Sequence, residues 1–295
     1  MVGPPLVIPR LALLATTLIW GATFPATKAV LAQLPPLTFL FLRFVLGAVG
    51  ALAVSTAAGY RLDWSRSTLR MSLIATGWLC LGYLFQTVGL RYTTASHSAF
   101  ITVLYVVFVP VFLWRFGTAT WGAIGLALVG LWLLVKPSGD MNVGDLLNLA
   151  CAAAFAAHIV CLERFTRAGP PGSLFVWQLG LTAAVMGAAA LIEGPPAEAL
   201  RPSTVLLVGL LVTGVLATGA FAVQMWAQRI VPAQQVALIF ALEPACAAWL
   251  AWLFLGERLD AQGWLGSGCI LAATLMGTFG GAVPVSASET RAQER

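Results

Sequence analysis

The chain has 295 residues, of which 60% are hydrophobic and only 9% charged, with a mean hydropathy of +0.91 and a formal net charge of +5. Such a balance excludes a soluble globular domain and points to an integral membrane protein whose solvent is the lipid bilayer. No basic cluster accompanies the positive charge, so nucleic acid is not an expected partner, and the excess serves to orient the chain in the membrane.

Ten apolar blocks of about 20 residues, the length that carries a helix through roughly 30 Å of hydrocarbon, cover residues 10–31, 36–57, 69–91, 95–115, 119–136, 144–166, 172–192, 203–228, 233–255 and 261–283. The period-two alternation of an outer-membrane barrel is absent, so helices remain to satisfy every backbone group in lipid. The fold class is all-α, an integral membrane protein of ten transmembrane helices. Block 1 is interrupted by "WGATFPATK", too polar and too long for a signal-peptide core, and is read as a retained span.

Successive helical residues turn by about 100°, which lets polar faces be tested along the chain. On span 1, Thr16, Trp20, Thr23 and Thr27 share one narrow arc. Span 3 stacks Trp78, Gly82 and Gln86 at four-residue spacing beside Tyr83, and span 4 places His97, Ser98, Ile101, Thr102 and Tyr105 on one side. The later spans offer Asn148, Phe155 and His158; Thr213, Phe221, Gln224 and Gln228; then Gln235 and Glu243. Gly122, Gly125 and Gly130 on span 5 and Gly277 and Gly281 on span 10 read as close-packing sites that would equally serve a dimer. Trp114, Trp121, Trp249, Trp252 and Trp264 near span ends read as interfacial anchors. The five cysteines all fall in spans without C-x-x-C spacing and read as reduced packing residues.

Lys and Arg mark the cytoplasmic side. With the N-terminus inside, the inner segments hold Arg10, Arg61, Arg66, Arg70, Arg115, Arg164, Arg167, Arg229, Arg291 and Arg295; the outer ones hold Arg91, Lys136, Arg201 and Arg258, and Lys28 and Arg43 lie in spans near their outer ends. Both termini are therefore expected in the cytoplasm.

The chain also repeats itself. "YLFQTVGLRYTTASHSAFITVLY" aligns without a gap on "FAVQMWAQRIVPAQQVALIFALE", placing Tyr83 on Phe221, Gln86 on Gln224, His97 on Gln235 and Tyr105 on Glu243 at a constant offset of 138. At an offset of 135, Trp20 falls on Phe155, Thr23 on His158, Lys28 on Glu163 and Arg43 on Gln178. A five-span unit used twice must enter the membrane from opposite sides, because five is odd. Inverted repeats of this kind supply two alternative packings related by a pseudo-twofold axis, the geometric basis of alternating access.

Four stretches, "LIWGATFPATK", "LTFLFLRF", "FQTVGLRYTTASHSAFIT" and "LEP…LFLGERL", resemble the EamA-type repeats of the drug/metabolite transporter superfamily over about residues 10–282. The first copy departs from the pattern, with Tyr105-Val106 where the second has Glu243-Pro244 and no "GERL". The resemblance implies a first repeat over 10–136, a second, inverted one over 144–283, a disordered cytoplasmic tail over 284–295, and a central cavity between the repeats. It is closest to bacterial inner-membrane exporters of aromatic and other hydrophobic amino acids.

The candidate substrate-binding residues are Trp20, Thr23, Trp78, Tyr83, Gln86, His97, Tyr105, Phe155, His158, Phe221 and Gln224. Intramembrane polar groups usually face the bundle interior or water, whereas Thr16, Thr27, Asn148 and Thr213 are read as helix-internal or interhelical bonds. Glu243 and Pro244 are read as a gate: the proline frees a carbonyl one turn earlier and kinks span 9, while the acid accepts or donates a hydrogen bond. Proton coupling through Glu243 is the alternative.

No cofactor or metal ion is expected, since no H-E-x-x-H, P-loop or Rossmann fingerprint occurs. An intramembrane hydrolase built on Ser267 with His97 or His158 is the disfavoured alternative. The expected function is secondary transport of a small hydrophobic or aromatic amino acid, or another small metabolite or drug, by a monomer or homodimer.

Overall fold

The computed structural model describes residues 6–136, 141–194, 203–255 and 260–279, without the side chains of 250–255 and Phe279. The tail 284–295, the "GERL" stretch 256–259, Gly281, the Trp252 side chain, and Arg201, Arg258, Arg291 and Arg295 lie outside the described residues.

Thirteen α-helices and no strand occur among the described residues: α1 (Val7–Val30), α2 (Pro36–Ala57), α3 (Arg66–Gly89), α4 (Ala95–Thr102), α5 (Tyr105–Phe112), α6 (Thr118–Val135), α7 (Val143–Ala168), α8 (Pro171–Ala190), α9 (Thr204–Leu210), α10 (Ala217–Ala227), α11 (Ala233–Phe240), α12 (Glu243–Leu255) and α13 (Ala261–Phe279). Their starts are written in the sequence. Pro36 and Pro171 open α2 and α8, where a missing N–H costs nothing. Ser65, Thr94 and Ser203 cap α3, α4 and α9 by accepting a backbone N–H, and Asn142 forms a reciprocal capping box with Asp145 on α7.

Eight segments among the described residues are long and apolar enough to cross a membrane, so the expected ten spans are not matched one for one. Span 4 is α4 and α5, parted at Val103–Leu104; span 9 is α11 and α12, parted at Ala241–Leu242; span 8 carries a π-helical stretch, Leu211–Leu216, between α9 and α10. The two partings are 138 residues apart, the offset at which the sequence repeats. In both, three-residue bonds replace the regular ladder: Leu104 N to Ile101 O at 3.1 Å, and Leu242 N to Ile239 O at 3.1 Å.

Proline therefore does not account for the pair of partings. Pro244 sits in the first turn of α12 and frees the carbonyl of Phe240, the last residue of α11, which agrees with the parting there. The first repeat has Val106 at that position, and its Pro110 lies too far along α5 to free any carbonyl before Val106. Both copies part at the same place with or without proline.

The helix contacts exchange under the repeat. α1 packs on α10 as α7 packs on α3, and α1 packs on α12 as α7 packs on α5, while α2 lies on its own counterpart α8 and α6 on α13. Self-pairing of counterparts is what a twofold axis between inverted halves produces. Of the expected close-packing glycines, Gly130 abuts the Gly266 carbonyl of α13 and Gly277 abuts Leu238, whereas Gly122 and Gly125 face open space. Trp114, Trp249 and Trp264 are exposed on the outside of the bundle, as membrane anchors would be.

Candidate functional site

A cavity with about 570 Å3 of space between atoms, part of it open to solvent, lies between the halves. It is lined by Trp20, Thr23 and Phe24 of α1; Leu79, Tyr83 and Gln86 of α3; Thr102 of α4 and Tyr105 of α5; Phe155, His158 and Ile159 of α7; Phe221 and Gln224 of α10; Phe240 of α11 and Glu243 of α12. Fourteen of these fifteen are mates under the repeat. The offset of 135 pairs Trp20 with Phe155, Thr23 with His158 and Phe24 with Ile159; the offset of 138 pairs Tyr83 with Phe221, Gln86 with Gln224, Thr102 with Phe240 and Tyr105 with Glu243. Leu79 stands apart, and its mate Ala217 presents its carbonyl to the Trp20 indole N–H at 3.5 Å.

Aromatic rings form much of the wall. Trp20 meets Phe240 edge to face at 4.7 Å between centroids, Tyr83 meets Phe155 at 5.2 Å, and His158 lies 5.7 Å from Phe221. The polar groups are held by neighbours. Tyr105 donates its hydroxyl proton to Glu243 Oε1 at 3.1 Å, so the acid has an intramembrane partner, and that partner is its own repeat mate. His158 Nε2 is bonded to Gln178 at 2.6 Å, Gln224 donates to Gln228 at 2.8 Å, and Gln86 reaches the Thr102 hydroxyl at 3.4 Å. Glu243 is the one acid in the lining, and no Lys or Arg is among the lining residues.

Nine of the eleven candidate binding residues thus face one space, and two do not. Trp78 is 38% exposed on the outer surface of α3. Each four-residue step advances by 40° around a helix, so the stripe through Gln86 drifts off the cavity two steps away, and the wall of α3 runs instead through Leu79, Tyr83 and Gln86. His97 lies in the first turn of α4 and lines a separate surface pocket with Lys28, Arg91 and Asn142. Gln235, its mate, accepts from Arg10 Nη2 at 2.9 Å at the other end of the bundle. Pro244 is not in the lining.

Three of the four groups assigned to packing make such bonds, and the fourth, Thr27, is buried. Thr16 and Thr213 donate to Leu13 and Gly209 carbonyls at 2.7 Å, and Asn148 bridges Ser98 at 2.6 Å and Gly144 at 2.7 Å. Phe24, Leu79, Thr102, Ile159 and Phe240 were not among the candidates. The repeat offsets reach four of them: Phe24 and Ile159 are mates one residue beyond Thr23 and His158, and Thr102 and Phe240 lie three residues before Tyr105 and Glu243.

A smaller chamber adjoins the cavity through shared walls of Leu79, Tyr83 and Phe221, and Arg43 of α2 borders it. Ser267, considered above as a nucleophile, bonds the Gly263 carbonyl at 3.0 Å on α13, which contributes nothing to the cavity that holds His158.

The sequence model of the EamA-like transporter family matches residues 8–136 and again 142–279. An uncharacterized transporter of Archaeoglobus fulgidus is 31% identical over 272 residues, which is 90% of this chain and 84% of that protein. The threonine/homoserine exporter RhtA of Escherichia coli K12 is 29% identical over 158 residues, about half of each chain (52%). The uncharacterized transporter YoaV of Bacillus subtilis is 25% identical over 285 residues, covering 91% of this chain and 96% of its own. A solved crystal structure superimposes with a TM-score of 0.75 over 92% of this chain and 96% of its own, at 18% identity, which speaks for the fold alone.

Proposed function

The chain belongs to the EamA-like transporter family, and from that premise we propose that it exports small hydrophobic or aromatic amino acids, or zwitterionic metabolites like them, by alternating access. The observation that carries the reading is the cavity between the repeats, fourteen of whose fifteen lining residues are repeat mates. Two inverted halves that present equivalent faces to one space can exchange their packings while the bound solute stays between them. Aromatic rings, amides and one acid suit a small molecule with an apolar side chain, whereas a nucleotide sugar or polyphosphate calls for several cations. The name of RhtA, an exporter of two amino acids, supports the solute class. A bacterial inner membrane and cytoplasmic termini complete the reading, on the distribution of Lys and Arg.

Counterflow in proteoliposomes tests it. Labelled phenylalanine, leucine and threonine should exchange across the membrane unchanged, and Trp20→Ala and Gln86→Ala should each lower the rate at least fivefold at equal protein levels. Exchange of a different metabolite class with none of the three amino acids, or wild-type rates in both variants, overturns the reading.

A further inference from the structure

Arg43 is 4% exposed, within a helix that crosses the membrane, and a buried charge in that setting calls for a partner of opposite sign. It has none. The ion pairs among the described residues are Lys136 with Asp260 and Arg167 with Glu163. The guanidinium is held by ring faces instead, 4.5 Å from the Tyr83 centroid, 5.3 Å from Phe44 and 5.8 Å from Phe39, and it interacts with the Tyr83 hydroxyl. Rings attract a cation but accept no guanidinium fork, and the residue borders the small chamber.

The repeat sharpens the point. The mate of Arg43 is Gln178, a neutral amide bonded to His158 at 2.6 Å, and the mate of Glu243 is the neutral Tyr105. The two adjoining spaces are therefore asymmetric in charge, with one cation bordering the chamber on the α2 side and one acid lining the cavity on the α12 side. Tyr83 and Phe221, themselves mates, stand between the two spaces as shared wall.

We propose that Arg43 is the anion-binding group of the transport site: it takes the carboxylate of the solute through the chamber behind Tyr83, while the side chain of the solute lies among the rings of the central cavity. A planar guanidinium matches a carboxylate in two parallel hydrogen bonds. The α-ammonium then faces Glu243, and the solute is held in one orientation. This rests on the central cavity being the place where the solute binds.

The test separates the carboxylate from the rest of the solute. Thermal stabilisation of the purified full chain is measured with phenylalanine, 3-phenylpropionate, 3-phenylpropionamide and phenethylamine. In the wild type, phenylpropionate should bind at least tenfold tighter than its neutral amide. Arg43→Gln should erase that preference to within twofold by weakening the acid, and should not weaken phenethylamine, whose ammonium a buried cation repels; Arg43→Lys should keep part of the preference. Equal binding of acid and amide by the wild type, which needs no variant to fold, overturns the proposal, as does an Arg43→Gln protein that still prefers the acid tenfold. Absence of amino-acid counterflow beside an Arg43-dependent preference for phenylpropionate would remove the proposed solute and leave Arg43 standing. Amino-acid counterflow with unchanged apparent affinity in Arg43→Gln would do the reverse.

Discussion

At the scale of single residues, the contact between Tyr105 and Glu243 concentrates the chemistry of the cavity. Two residues related by the repeat meet at 3.1 Å, so the pseudo-twofold axis passes by their hydrogen bond. Because one mate is a neutral phenol, the requirement at this place is a hydrogen bond, and charge is secondary. Glu243→Gln keeps an acceptor for the phenol and should retain transport to within about threefold. Glu243→Leu leaves the Tyr105 hydroxyl buried without a partner, and Tyr105→Phe does the same to the acid. Each should lower stability by about 1–3 kcal/mol, the cost of one orphaned buried group, as read from thermal denaturation in detergent, and should slow counterflow. A Glu243→Gln protein that loses all pH-dependent net flux yet keeps counterflow would instead make Glu243 a proton carrier and end the gate reading.

At the scale of elements, the close approach of α1 to α12 depends on Gly21. A Cβ there would lie 3.0 Å from the Glu243 carbonyl oxygen and 3.2 Å from the Ala247 nitrogen, both backbone atoms that cannot swing away. Gly21→Val should therefore displace α12 and cut transport at least tenfold, whereas Pro244→Ala, at a position where the first repeat does without proline, should cost no more than about threefold. Counterflow at matched expression checks both. A second pair of mates ties the helix connections down at opposite ends. Lys28 of α1 donates to the carbonyls of Leu90 and Thr93 between α3 and α4, at 2.8 Å for the latter, and Glu163 of α7 accepts from the N–H of Ala233, the first residue of α11, at 3.0 Å. The same positions with opposite charge hold the same connection, once by its acceptors and once by a donor. Lys28→Met and Glu163→Gln should each loosen one end of the bundle, and amide hydrogen exchange should rise at residues 90–95 in the first and 229–233 in the second, each without change at the other end.

At the scale of the whole molecule, the orientation proposed from the charges has a direct check. Trp64 is 69% exposed between α2 and α3, and Met141 is 68% exposed before α7. With the five native cysteines replaced, Met141→Cys should react with an impermeant thiol reagent on intact cells and Trp64→Cys should react only after lysis. The opposite pattern inverts the topology. Ser138, which the expected orientation puts on the same side as Met141, lies outside the described residues.

Composition and hydropathy were enough to place this chain in a membrane, because the cost of an unsatisfied peptide group in lipid leaves little choice of secondary structure. The two offsets were enough to name nine cavity residues and to imply four more, because a repeat copies position whatever the side chain. What one-dimensional spacing does not carry is depth and azimuth. A drift of 40° per turn put Trp78 on the outer surface, and a start at the helix terminus put His97 outside the cavity. The partings at Val103–Leu104 and Ala241–Leu242 left no mark in the apolar blocks, since the residues at each parting are themselves apolar and continue the run. The isolation of Arg43 and the partnership of Tyr105 with Glu243 were decided by the tertiary structure alone, because a contact between charges or hydroxyls 138 residues apart, or its absence, exists only once the two inverted halves have packed.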